Sequence, residues 1–272
     1  MTASDAFKAG RLTEAIDLQL AAVKADPANH GKRLFLFELS AFAGDWDRAR
    51  RQIDAVKYDE PDLQMATEKY RRLLDSEEAR RKLFSDGIQP SFLGDPPEDI
   101  AYRLDAVRKL RDGKPEEAAA ILTEANAKLP ELTGTLNGEP FTGLRDADDL
   151  FAGVLEVMAH GKYFWLPLSQ IESVAANPPR FPRDTIWFPA KVVTRIGESG
   201  DVFLPALYPG TSGHADDQVK LGRATDWKEA TQATAVGAGL RIFFAGEAEV
   251  VLLGWRDLHV GAPTSSHPVS EH

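Results

Sequence analysis

The sequence predicts an α+β protein: an N-terminal tetratricopeptide-like (TPR-like) helical repeat array followed by a compact β-rich domain, a small barrel or bent sheet. Three observations predict it. A glycine-centred helical motif recurs three times in the first half. From about Gly134 the alanine-rich helical spacing gives way to short aromatic and β-branched runs broken by glycine and proline. Finally, 272 residues exceed one typical core without reaching three. The expected division is a helical domain over 1–132, a β-rich domain over 133–260 and a loose, aperiodic tail over 261–272.

The motif appears when GRLTEAIDLQLAAVKADP, GDWDRARRQIDAVKYDEP and GKPEEAAAILTEANAKLP are aligned on Gly10, Gly44 and Gly113. Alanine follows five positions later in each (Ala15, Ala49, Ala118), and proline seventeen positions later (Pro27, Pro61, Pro130). Gly10 and Gly44 lie 34 residues apart, the tetratricopeptide period, and Gly113 follows Gly44 at two periods plus one residue. Glycine suits the turn between two helices, alanine lets the second helix approach its neighbour, and proline cannot continue the helix it follows. Ile16, Leu20 and Val23 recur on one helical stripe, and Leu34, Phe37 and Phe42 belong to an apolar helix after His30. The stretch 62–84 is helical in pattern but has no turn glycine, and reads as a long, atypical helix pair. Too few residues precede Gly10 for a full helix, so the array opens with a half repeat.

Such an array presents a groove to a peptide or helix, held by apolar anchors with charged flanks. Arg33, Phe37 and Phe42 are the candidate partner-binding residues, with Arg48 and Arg51 as a charged rim. Taken singly, each phenylalanine reads more readily as core than as an anchor. The basic run Arg48, Arg50, Arg51, Arg71, Arg72, Arg80, Arg81 and Lys82 forms either an electropositive stripe or a set of solvated helix faces.

In the second half the expected strands are 154–159, 163–167, 187–194, 202–207, 240–245 and 250–255, with a hairpin turn at His160 and Gly161. A helical turn is expected at 146–151 and a further short element at 170–175. Four of the five tryptophans lie here, suited to closing a small core.

A net charge of −10 argues against binding a phosphate backbone, which lysine and arginine drive, so no nucleic-acid partner is expected. No run of about 18 apolar residues or secretory leader occurs, pointing to a cytoplasmic protein without a membrane partner. The absence of cysteine removes thiol catalysis, disulfides and thiolate metal sites. Asp146, Asp148 and Asp149 lack the spacing of a calcium loop and read as a cap or surface feature. His214 with Asp216 and Asp217 is half of a metal site with nothing to complete it. GTSGH (210–214) is not a nucleophile elbow, and VGAGLR (236–241) leads into a strand where a phosphate loop would lead into a helix. No enzyme, cofactor or metal is therefore expected.

One combination is specific. GEPFTGLRDADDLFAGVLEV (138–157), GKYFWLPLSQI (161–171), FPRDTIWFPAKV (181–192), VFLPALYPGTS (202–212) and LGRATDW (221–227), in this order behind a helical front half, resemble the ImpE family, also called TagJ or SciE. The resemblance implies an accessory protein of the bacterial type VI secretion system. Its implied partner is the N-terminal helix of the small sheath subunit, TssB, and it would link the sheath to its AAA+ ATPase, ClpV. It carries no catalytic residues over, only signature positions: Arg145, Asp146, Asp148 and Asp149 in LRDADD; Trp165, Leu166 and Pro167 in WLP; Arg223, Thr225, Asp226 and Trp227 in GRATDW. Physically, Arg145 and Arg223 are expected to pin loops through nearby aspartates, Asp226 to cap a helical turn and Trp227 to plug the core. A partner surface is the rival role for these positions. Two rival functions are a general peptide-binding cochaperone and a metal-dependent hydrolase using Asp146, Asp148, Asp149 and His214.

Overall fold

The three aligned glycines all occupy the left-handed region, with φ of +77°, +71° and +71° at Gly10, Gly44 and Gly113. In the computed structural model, which describes residues 1–231 and 234–261, each turns the chain between two packed helices. The helices are α1 (Ala3–Lys8), α2 (Leu12–Ala25), α3 (His30–Phe42), α4 (Trp46–Asp54), α5 (Pro61–Ser85), α6 (Glu98–Arg111) and α7 (Pro115–Ala127). The hairpins are α1 with α2, α3 with α4, and α6 with α7. Ala15, Ala49 and Ala118, five residues beyond the glycines, are buried where the helices meet. Asn29 and Asp45 cap α3 and α4 by accepting the N–H groups of Lys32 and Arg48.

Between the hairpins the expected helix pair is corrected to one 25-residue helix, α5. Pro61 starts it, and no glycine or proline interrupts it afterwards. Thr67, Leu73, Leu74, Ser76, Glu77, Arg80 and Leu83 form its buried face, whereas its first six residues are all exposed. The helix therefore overhangs what it packs on.

The strands are β1 (Thr133–Leu136), β2 (Glu139–Thr142), β3 (Leu144–Asp146), β4 (Val154–Ala159), β5 (Lys162–Pro167), β6 (Ile171–Ala176), β7 (Trp187–Thr194), β8 (Ser199–Pro205), β9 (Thr225–Thr231), β10 (Thr234–Gly239), β11 (Ile242–Ala245), β12 (Ala248–Val251) and β13 (Asp257–Val260), with a short α8 (Asp217–Lys220) before β9. Eight form an antiparallel sheet in the order β2-β1-β13-β6-β7-β8-β4-β5. A three-stranded sheet, β12-β11-β3, and the β9-β10 ribbon complete the β structure. The expected strands at 154–159, 163–167 and 187–194 correspond to β4, β5 and β7, and His160 and Gly161 form the turn at φ +52° and +79°. Others need correction. Strand 240–245 begins only at Ile242, strand 250–255 ends at Val251 in a 3-10 turn, and the element at 170–175 is a full strand, β6. The stretch 146–151 is no helix, because its aspartates bind backbone amides across the chain.

Alternation along the strands sends side chains to two hydrophobic clusters. Trp187, Val154 and Met158 join the helices, where Phe37 stacks on Trp187 at 5.9 Å and Tyr70 meets Phe203 at 5.9 Å. Phe188 and Leu155 point the other way, towards Phe243, Leu258 and Trp255. The expected tail lies outside the described residues from 262 onward, while the Gly261 N–H donates to the Thr133 carbonyl at 2.7 Å. No helix among the described residues is long and apolar enough to cross a membrane.

Candidate functional site

Where α5 overhangs the sheet it leaves an open groove of about 1430 Å³. One wall is the α4–α5 connection and the first half of α5, including Lys57, Met65 and Lys69. The floor and opposite wall come from β4, β6, β7 and β8, with Ala159, Ala175, Pro189, Lys191, Val202 and Phe203. Strand alternation explains the floor: Trp187, Pro189 and Lys191 share one face of β7, so the strand passes from beneath the helices into the open. Along the groove β6 and β7 are hydrogen-bonded to a neighbour on both sides, whereas β8 meets β4 at the single pair Met158 and Phe203 and runs on beside β7. Met65 is 71% exposed, an unbranched thioether able to adapt to an apolar ligand.

Under the second half of α5 a buried ion network fastens the helix to the sheet. Arg80 of α5 donates to both Glu156 oxygens from Nε at 2.7 Å and Nη2 at 2.9 Å, and also to the Leu207 carbonyl at 2.8 Å. Arg241 donates to Asp146 at 2.5 Å and to Glu156. The Tyr163 hydroxyl donates to Glu156 at 2.5 Å and receives the Trp165 indole N–H, while Tyr208 donates to Asp146 at 2.8 Å. Burial works against charge on Glu156, but Arg80 and Arg241 outweigh it and hold its pKa below the ordinary value. Burial dominates at Asp146 and raises its pKa despite Arg241. Burial together with the neighbouring Asp146 pushes Asp148 up to about 7.

The acidic run is therefore neither a helix cap nor a surface feature. Asp146 accepts the Asp148 N–H, Asp148 accepts those of Leu150 and Gly237, and Asp149 accepts that of Ala235. These bonds tie the β3–β4 turn to β10. His214 is engaged elsewhere, with Asp226 at 3.0 Å. Among the described residues no group of three His, Asp or Glu side chains is placed to hold a metal ion.

The candidate anchors Phe37 and Phe42 are 0% and 1% exposed, packed on Trp187 and Phe7, so neither offers a ring to a partner. Arg33 donates to the Pro27 carbonyl and Gln52, Arg48 pairs with Asp45 at 2.7 Å, and Arg51 is exposed. The basic run dissolves into local pairs: Arg50 with Asp75, Arg71 with Asp54 and Glu68, Arg72 with Glu68, Lys82 with Glu78, and Arg81 over the Trp46 ring. Trp165, Leu166 and Pro167 are buried in β5. Arg145 lies over Phe244 with Asp149 at 3.6 Å. Three expected roles are corrected. Among the described residues Arg223 meets no aspartate; it donates to the Phe7 and Lys8 carbonyls, 2.7 and 3.1 Å away, and so closes the end of α1. Asp226 sits within β9 and caps no helix, and Trp227 is 39% exposed against Tyr208 and plugs nothing. Thr225 donates to the Leu240 carbonyl at 2.6 Å. Arg80, Glu156 and Arg241 carry no local motif, and sequence reading passed over their partnership.

The profile of the ImpE protein family matches residues 138–259, which span the LRDADD turn, the network carboxylates and the ribbon. Over 258 residues the chain is 34% identical to the type VI secretion system accessory component TagJ of Pseudomonas aeruginosa, covering 95% of this chain and 90% of that one. The chain belongs to the ImpE family. The fold of this ImpE protein is also that of a crystal structure from Vibrio parahaemolyticus, with a TM-score of 0.87 and 23% identity over 95% of this chain and 97% of the other. Of the residues in the LRDADD, WLP and GRATDW stretches, Asp146, Asp148 and Trp165 are buried, while Arg145 and Trp227 are exposed.

Proposed function

We propose that the chain is a noncatalytic adaptor of the type VI secretion system, working in the cytoplasm. It holds the N-terminal helix of the small sheath subunit TssB and thereby links the sheath to its ClpV-type ATPase. The groove beneath the overhanging half of α5 carries this reading. A ligand crossing β6 and β7, which are paired on both sides, gains no backbone hydrogen bonds from them, so there it satisfies its own backbone, as a helix does. The groove volume corresponds to roughly three turns of a helix about 10 Å across. Kinship with an accessory component of the secretion system supports the same reading. In this proposal the front half, 1–132, is a TPR-like unit whose hairpins brace α5, and 133–260 is the β-rich unit supplying the floor. Arg33, Arg48 and Arg51 belong to the outer surface of the helical unit.

The test is a titration of the full chain with a labelled peptide spanning the N-terminal helix of the cognate sheath subunit. Saturable binding is expected, weakened at least about tenfold by Met65→Asp with an unchanged melting temperature. Equal binding of a scrambled peptide overturns the reading, and indiscriminate binding of unrelated extended peptides replaces it with a general cochaperone.

A further inference from the structure

The groove carries charge as well as shape. Six lysines and arginines line it: Lys57, Lys69, Arg71, Arg72, Lys191 and Arg256. Two are neutralised within the wall, since Arg71 pairs with Asp54 at 3.3 Å and Glu68 at 3.4 Å, and Arg72 pairs with Glu68 at 3.3 Å. The other four make no ion pair among the described residues. The Arg256 guanidinium donates to the Leu253 and Trp255 carbonyls. Of the four lining carboxylates, Asp54 and Glu68 are engaged by these arginines, leaving Asp59 and Asp201 against four uncommitted cations. Asp201 lies opposite Lys191 in register across β7 and β8. The mouth is thus net positive on a chain of net charge −10.

Resting on the reading of the groove as a helix site, we propose that it selects an amphipathic helix with acidic flanks. The cations stand on both sides of the trough: Lys57 and Lys69 on the helical wall, Lys191 and Arg256 on the sheet wall. A helix lying between them with its apolar face down meets a cation along each boundary of that face. The floor permits a close approach, because Ala159, Gly161 and Ala175 carry little or no side chain. At close range a positive mouth favours such a helix and disfavours one with basic flanks.

The experiment uses three labelled helical peptides that share one apolar face and carry glutamate, glutamine or lysine on the flanks. Each is titrated against the full chain at about 50 mM and about 300 mM salt. The glutamate peptide is expected to bind roughly tenfold tighter than the glutamine peptide, with the advantage shrinking in high salt, and the lysine peptide weakest. Lys57→Glu with Lys191→Glu should invert that order. Equal affinity for the glutamate and glutamine peptides, or an order the double variant leaves unchanged, overturns the charge selection while the helix site stands. Failure of all three peptides to bind overturns both.

Discussion

Replacing Glu156 by glutamine keeps the shape of the side chain and removes the charge on which two buried guanidinium groups depend. Glu156 is 1% exposed and accepts from Arg80 Nε at 2.7 Å, Arg80 Nη2 at 2.9 Å, the Tyr163 hydroxyl and Arg241. In Glu156→Gln, Arg80 retains only Glu77 at 3.6 Å as a counter-charge, and Arg241 retains only Asp146. Removing one partner of a buried pair costs about 3–5 kcal/mol, and dependence from two sides places this case in the upper half of that range. A chain of this size loses roughly 2–4 °C of melting temperature per kcal/mol, so a fall on the order of 10 °C is expected. Urea unfolding followed by tryptophan fluorescence is the assay, and Trp165, one hydrogen bond from Tyr163 and two from Glu156, reports from inside the network. Combining Glu156→Gln with Arg80→Met should cost at least about 1.5 kcal/mol less than the two changes summed, since both remove one interaction. A loss below about 1 kcal/mol for Glu156→Gln, or strict additivity in the double variant, would refute the claim that this pair fastens α5 to the sheet.

Asp148 gives a pH dependence of the opposite sign to a salt-bridged carboxylate. Its folded pKa of about 7 exceeds the ordinary 3.8, so the stabilisation is complete below about pH 4 and is lost as the pH rises to 7. Asp148→Asn should flatten the pH dependence of the unfolding free energy from urea curves across that interval by up to about 4 kcal/mol, and an unchanged slope would contradict the assignment. Gly44→Ala places a Cβ 2.5 Å from the Ser212 hydroxyl at φ +71°, and calorimetry should show about 1–2 kcal/mol lost. Arg223→Ala frees the carbonyls at the end of α1, so amide exchange over residues 3–9 should quicken while peptide affinity in the groove stays constant.

The helical hairpins were legible because each is a local object: a glycine that takes positive φ, an alanine at the contact and a proline beyond, all within eighteen residues. Strands β4, β5 and β7 were legible for the same reason, as apolar runs bounded by turn residues. β9 and β10 were not, because TDWKEAT is polar and TAVGAG carries two glycines, and their structure depends on the carboxylates of the LRDADD turn. The groove and the network lie further from reach. Arg80, Glu156 and Arg241 are 76 and 85 positions apart, and nothing near any of them announces the others. Phe37 and Phe42 show the reverse error, since their flanking charges suggested a binding face while Trp187 of the second half packs on Phe37 and Phe7 of α1 packs on Phe42.

The pairing of β1 between β2 and β13 bears on how the chain matures on the ribosome. β1 is made early, at 133–136, yet its link to the rest of the large sheet is β13 at 257–260. The β1–β2 hairpin must therefore emerge and wait, unattached, until more than a hundred further residues have been translated. Gly134 prepares for that late arrival: a Cβ there would stand 2.0 Å from the His259 carbonyl, so the bare backbone keeps the slot open. Docking of β13 then joins the hairpin to the other five strands, and a chain stalled short of residue 257 leaves the sheet split in two.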